Sequence, residues 1–286
     1  MNTAEKLQWD PGQVAGWVQD IGIPPRPALL RSLSEEIAKD DPALCRLRDI
    51  VELDVALSAN LIKSANSPLL GLSKPAQTVE QAFLLLGFAR CLSVLTEMCV
   101  RRSFPAGGTR LEAFWQHTSL RGQVLGWLAR ETRWVAPDIA HTFGLFSEVG
   151  VPLMLQRFHF PSYEETLTHI EQQRLPRIEA ERARHRTDHA LIGSLAARAW
   201  GVSQTVELAT RLHHDDELLL DVEVPRSVRV LMAMGLVSDR LIELSYGGEP
   251  SVEWELGGAP ALECLGVDEA QLMDWWQDVG VLQALA

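Results

Sequence analysis

The sequence predicts an all-α protein, on three observations. Apolar residues recur at helical rather than alternating spacing, as in Leu57, Leu61, Ile62 and Ala65. Helix start and stop signals punctuate the chain, among them Asp41-Pro42, Thr78 followed by Gln81, and Gly87. Strand-like alternation is essentially absent.

Taken in order, residues 4–20 form a short amphipathic segment carrying Leu7, Trp9, Val14, Trp17 and Val18, interrupted by Pro11-Gly12. Ile23-Pro24-Pro25-Arg26-Pro27 reads as a stiff extended linker, since proline fixes its own φ and restricts the preceding residue. Helices are expected at about 28–39 and 43–52. Residues 54–88 are then a helix, a tight polar loop and a second helix. Asn66-Ser67-Pro68 stops the first, Gly71 and Pro75 keep the loop irregular, and Thr78/Gln81 open the second as a capping box. Asn66 and Ser67 are assigned to fixing that turn through the backbone.

An apolar helix follows at 89–102, and Pro105-Ala106-Gly107-Gly108 is the clearest internal hinge. A long helix from 109 carries Phe114, Trp115, His117 and Leu128, and Pro137 restarts the chain. The mixed charges of 171–186, including Arg177 and Glu181, predict a solvated helix face. Thr187 is expected to cap a helix over 188–200, with further helices at 203–214, 225–244 and 268–284. A Gly/Pro-rich loop is expected at 247–260.

Composition narrows the class. The chain has 286 residues, 47% hydrophobic and 22% charged, ordinary for a globular protein with a large core. The formal net charge of −12 argues against general affinity for nucleic acid or anionic membrane, which need lysine and arginine to displace counterions. The first residues lack a secretory signal, and no apolar run approaches a membrane span, so the expected location is cytoplasmic. Cys45, Cys91, Cys99 and Cys264 have no Cys-x-x-Cys spacing and read as buried free thiols. Trp127, Trp134 and Trp200 read as core, whereas adjacent Trp275 and Trp276 point about 100° apart on a helix, leaving one partly exposed.

One stretch carries a resemblance. An aspartate-led helix ending in Ala65-Asn66-Ser67, a loop with Gly71, and a capped helix ending Leu86-Gly87 resemble the HDOD family of bacterial regulatory domains. Ile23-Pro24-Pro25, Trp115, Gly144, His189 and His213-His214 follow in matching order, and the resemblance covers roughly residues 21–217. It implies a helical signalling domain related to HD phosphohydrolases and usually lacking their metal set. The implied organisation is an N-terminal segment 1–20, an N-terminal lobe 21–107, an HD-like lobe 108–217, and an extension 218–286 that completes that lobe.

HD phosphohydrolases hold divalent metals with histidines and aspartates from separate helices, and the metal lowers the pKa of a bound water. By the resemblance, His117 matches the first histidine, His189 the next histidine-bearing helix, His213-His214 a later pair, and Asp239 the last aspartate. The central His-Asp pair is replaced by Ser147-Glu148. Serine is a poor ligand, and the extra methylene of glutamate is expected to displace its carboxylate. The reading is therefore a degenerate polar pocket of His117, Ser147, Glu148, His189, His213, His214 and Asp239, with no cofactor and no catalytic residue. If a metal binds, the expected ligands are His117, Glu148, His189 and His213 (or His214).

A serine hydrolase lacks support, because Ser147 sits in no Gly-x-Ser-x-Gly elbow. Gly247-Gly248 and Gly257-Gly258 lack the lysine of a phosphate loop. Arg101-Arg102 and Arg121 are weak candidates for an anion pocket. The functional expectation is a non-catalytic regulatory module acting through a protein partner. Its rivals are a metal-dependent phosphohydrolase acting on a nucleotide or cyclic dinucleotide, and a nucleotide sensor without turnover.

Overall fold

The structure, a computed structural model, describes residues 21–67, 75–104 and 109–284, the side chains of 109 and 279–284 excepted. Segment 1–20, Gly71 and the hinge at 105–108 lie outside the described residues. The described chain is helical, without a β-strand. It divides into two compact units, 26–104 and 21–25 with 109–279.

The first unit contains α1 (Ala28–Ile37), α2 (Leu44–Glu52), α3 (Val55–Ala65), α4 (Val79–Leu86) and α5 (Phe88–Arg102). Its core is Leu30, Leu33, Leu47, Val51, Leu61, Phe83 and Leu95, all at most 1% exposed. Burying each such side chain contributes on the order of 2 kcal/mol. Asp54 caps α3, accepting from the N–H groups of Ala56 and Leu57 at 3.0 Å each. Its other oxygen pairs with Arg102 at the end of α5, 2.5 Å away. Thr78 caps α4 through the Gln81 N–H, and Gln81 Oε1 accepts from Gln77 N rather than closing the box on Thr78.

Asn66 fixes its turn at longer range than expected. Its amide donates to the Ala76 carbonyl at 2.8 Å and accepts from the Ala76 N–H at 2.5 Å, closing ten residues of chain. Gly87, at φ 78°, joins α4 to α5 with a bend of 117°. A side chain there would be strained whatever the space around it. Among the described residues no single helix is long and apolar enough to cross a membrane.

The second unit runs through α6 (Thr109–Thr132), α7 (Pro137–Phe146), α8 (Gly150–Arg157), α9 (Tyr163–Gln173), α10 (Arg177–His185), α11 (His189–Ala199) and α12 (Gln204–Leu212). A short 3-10 turn (Asp216–Leu219) leads to α13 (Arg226–Ser245), α14 (Val252–Leu265) and α15 (Glu269–Ala284), which belongs to this unit as far as Val279. Helix α13 is the centre: Val228, Leu231, Ala233, Met234, Val237 and Leu241 are buried, and it packs on α6, α12 and α14. The Trp200 indole N–H donates to the Pro24 carbonyl at 2.8 Å, fastening the proline-rich lead-in to this unit. Trp275 is buried edge-on to half-buried Trp134 at 5.8 Å, and Trp276 is partly exposed.

Four expectations need correction. The residues at 252–260 are not loop but the first part of α14, capped by Ser251. Packing of that helix on α13 and the 3-10 turn outweighs the low helix propensity of Gly257, Gly258 and Pro260. Helix α11 is capped by Asp188 through the Leu191 N–H at 2.7 Å, not by Thr187. Within 171–186, Glu181 is fully buried and Arg177 largely so. Cys45 is exposed and Cys264 half-buried, so only Cys91 and Cys99 are buried thiols.

Candidate metal centre

The side chains that converge come from three separate pieces of the second unit. Glu148 lies in the turn between α7 and α8, His189 opens α11, and His213 and His214 follow the last turn of α12. The approach of these pieces depends on Gly150. A Cβ there would overlap the His189 carbonyl oxygen and lie 2.8 Å from the His189 Cα.

One donor atom from each of Glu148, His189, His213 and His214 falls in a group with all pairs within 4.8 Å. Glu148 Oε1 is 3.1 Å from His213 Nε2, and Glu148 Oε2 is 3.7 Å from His189 Nε2. His214 Nε2 is 3.0 Å from His189 Nε2. Donors each about 2.1 Å from a common ion would be spaced at about 3–3.5 Å. The extra methylene of Glu148 therefore does not carry its carboxylate away from the histidines.

The far sides of two rings fix their tautomers. His189 Nδ1 lies 2.8 and 3.0 Å from the two oxygens of Glu181, whose carboxyl is held down to about 2. Burial opposes that charge, but His189, Arg177 and the Tyr163 hydroxyl outweigh it. A carboxylate can only accept, so His189 Nδ1 carries a proton, and Nε2 is the ring nitrogen that faces the group. His213 Nδ1 faces the Thr210 carbonyl at 2.7 Å, with the same consequence. An outer carboxylate or carbonyl holding the remote ring N–H is how metal-binding histidines are oriented.

The other two donors are in metal-binding form. Burial works against the charge of Glu148, but His189, Arg177 and His213 hold its carboxyl well below the usual range. Burial, reinforced by His213 and His189, pushes His214 well below the ordinary histidine value, leaving it neutral. Three imidazoles and one carboxylate suit zinc, iron, cobalt or manganese better than calcium or magnesium. By chemistry and spacing, the residues fit a divalent metal.

The remaining sequence-predicted residues stand apart from this group. His117 lies on the wall of the adjoining cavity. Ser147 is fully buried, donates to the Gly144 carbonyl at 3.4 Å and accepts a hydrogen bond from Arg121. Among the described residues no histidine is hydrogen-bonded to it. Asp239 pairs at 2.8 Å with Arg121, which is 2% exposed. A guanidinium thus occupies the space between Ser147 and Asp239.

Sequence reasoning missed Arg177, Glu181, Tyr163 and Thr210. Arg177 bridges Glu148 at 3.0 Å and Glu181 at 3.2 Å, and the Tyr163 hydroxyl donates to Glu181 at 2.6 Å. The available signal was spacing: Arg177, Glu181 and His185 share one helix face at intervals of four.

Residues 23–216 match the family model of the HDOD domain. The chain belongs to the HDOD family. An uncharacterized protein of Treponema pallidum (strain Nichols) is 24% identical over 196 residues, covering 68% of this chain and 38% of that protein. This HDOD chain therefore spans well under half of that relative. A Shewanella amazonensis SB2B structure named as a candidate phosphohydrolase superposes with a TM-score of 0.70 at 18% identity, covering 95% of this chain and 98% of that one. A Marinobacter aquaeolei VT8 structure named as a candidate signal transduction protein gives 0.65 at 20% identity, covering 92% of this chain and 58% of that one. At these identities the likeness shows the HDOD fold.

Proposed function

We propose that this HDOD protein is a non-catalytic regulatory module of signal transduction that acts by binding another protein, and that its second unit carries a single structural metal. The observation that carries the metal is the convergence of four donors, two with tautomers set by Glu181 and the Thr210 carbonyl. Four protein ligands close a four-coordinate site, whereas catalytic zinc sites keep a position for water. Such an ion would tie together the α7–α8 turn, the start of α11 and the end of α12. The far side of Glu148 faces Arg177, and Asp239 is neutralised by Arg121, so neither carboxylate supports a second ion. The signalling role comes from the family and from the relative named for it.

The rival reading, a metal-dependent phosphohydrolase, draws on the cavity that opens on Glu148 and His214. Both are tested on the full chain loaded with manganese, iron or zinc and cleared of excess. Metal content by mass spectrometry is expected at about one ion per chain. Hydrolysis of bis-p-nitrophenyl phosphate and of cyclic dinucleotides is expected to stay at the level of the buffer. Metal-dependent turnover abolished in Glu148→Gln would replace this reading with the enzyme. Trace metal in every sample would remove the structural ion.

A further inference from the structure

We propose that the cavity beside the histidine group binds a small organic cation, an ammonium or guanidinium on an apolar body, and excludes phosphates. The cavity has a volume of about 930 Å³ and lies wholly within the second unit. That is the size of a site for a drug-sized molecule. Phe114, Leu236 and Trp254 give it aromatic and aliphatic walls.

The charges on those walls are unequal. Six carboxylates line it (Glu148, Glu164, Glu171, Asp239, Glu243 and Glu253) against two arginines, Arg110 and Arg177. Both arginines are committed. Arg110 forks onto Glu171 at 2.6 and 3.3 Å, and Arg177 holds Glu148 and Glu181. Most of the acids are also satisfied: Asp239 by Arg121, and Glu243 by Arg240 at 3.2 Å and the Ser251 N–H at 3.4 Å.

Glu253 is the exception. It is partly buried on the first turn of α14, next in sequence to Trp254, and among the described residues the cation that acts on it, Arg177, makes no ion pair with it. Burial raises its carboxyl and Glu148 and Asp239 add to that, while its own backbone N–H and Arg177 oppose it without cancelling it. A partly buried carboxylate without an ion pair, on a cavity wall that also carries the Trp254 indole, is complementary to an organic cation on an apolar body. A phosphate would meet the same carboxylate and find no uncommitted guanidinium to fork onto. The inference does not need the metal, because the cation would sit on Glu253 and not on the histidines.

The test is titration calorimetry on the full chain, once after chelation and once loaded with zinc. The probes are hexylamine, benzamidine, hexanol, hexanoate and AMP. Hexylamine and benzamidine are expected to bind in both metal states, hexanol at least about tenfold more weakly. Glu253→Gln should bring hexylamine down to the hexanol level without moving hexanol, and Trp254→Ala should weaken both. Equal affinity for hexylamine and hexanol, preference for hexanoate or AMP, or no binding of either cation would overturn the proposal. Because the alcohol comparison uses the unmutated protein, a misfolded variant does not shield the idea. Loss of metal binding with cation binding intact would fault only the metal.

Discussion

His189 Nε2 and His214 Nε2 lie 3.0 Å apart, and a single proton can serve the contact. Since Glu181 holds the proton of His189 on Nδ1, His214 must supply the hydrogen if no ion lies between the rings. His213 Nε2 and Glu148 Oε1 are in a harder position at 3.1 Å, since a neutral His213 with its proton on Nδ1 puts two lone pairs face to face. Either a proton or a metal relieves that contact. The contact is one that a bound cation would relieve.

Removal of one donor should therefore be felt in metal affinity before it is felt in fold. His213→Ala and Glu148→Gln are each expected to reduce bound zinc from about one ion per chain to a trace. In the metal-loaded wild type, the thermal transition should rise with free metal concentration, as for any ligand that binds only the native state. In either variant that dependence should vanish. A transition that ignores metal in the wild type would contradict the site.

Glu181 touches no metal in this arrangement, yet it should matter to metal binding. It accepts from the His189 backbone N–H at 2.8 Å, from His189 Nδ1 and from the Tyr163 hydroxyl, and it pairs with Arg177. Glu181→Gln retains the shape but frees the His189 tautomer. Metal affinity is expected to fall about 10- to 100-fold. Tyr163→Phe, which leaves the carboxylate in place, should cost much less. Competition with a fluorescent zinc chelator measures both.

Asn66→Ala should destabilise the first unit by about 1–3 kcal/mol, since it deletes two hydrogen bonds to the buried Ala76 backbone. Asn66→Asp keeps an acceptor for the Ala76 N–H but brings a second one to the Ala76 carbonyl, so it should not rescue. Urea denaturation followed by circular dichroism reports the loss. Metal content should be unchanged in both, because the metal group lies in the other unit.

How far these features could be read from the sequence depends on how local their causes are. Thr78 and Gly87 act on backbone within four residues of themselves and were legible as a cap and a stop, and Asp54 was legible as the start of an aspartate-led helix. Asn66 was legible as a turn residue, but its partner ten residues on was not. His189, His213 and His214 were named from the family pattern and Glu148 from its departure from it, and these four lie together, whereas His117 lies on the wall of the adjoining cavity. The last turn of α12, which sets His214 toward His189, has no signature in spacing. Arg177 and Glu181 were hidden among like-looking surface charges, because burial comes from the packing of α10 on α11. Helix α14 was concealed for the same reason, its Gly257-Gly258 and Pro260 being tolerated only through packing on α13.

The cysteines separate burial from helical placement in a way that a simple labelling experiment reads. All four lie in helices, but Cys45 is exposed, Cys264 half-buried, and Cys91 and Cys99 enclosed. Burial pushes the Cys91 thiol up to about 12 and the Cys99 thiol up to about 11. Iodoacetamide attacks the thiolate, so at pH 8 the two enclosed thiols offer neither the reactive form nor access. Native labelling followed by mass spectrometry should show Cys45 modified first, Cys264 more slowly, and Cys91 and Cys99 only after denaturant is added. Early modification of Cys91, whose Sγ lies 3.7 Å from the Ala82 carbonyl, would mean that α4 and α5 separate in the native protein.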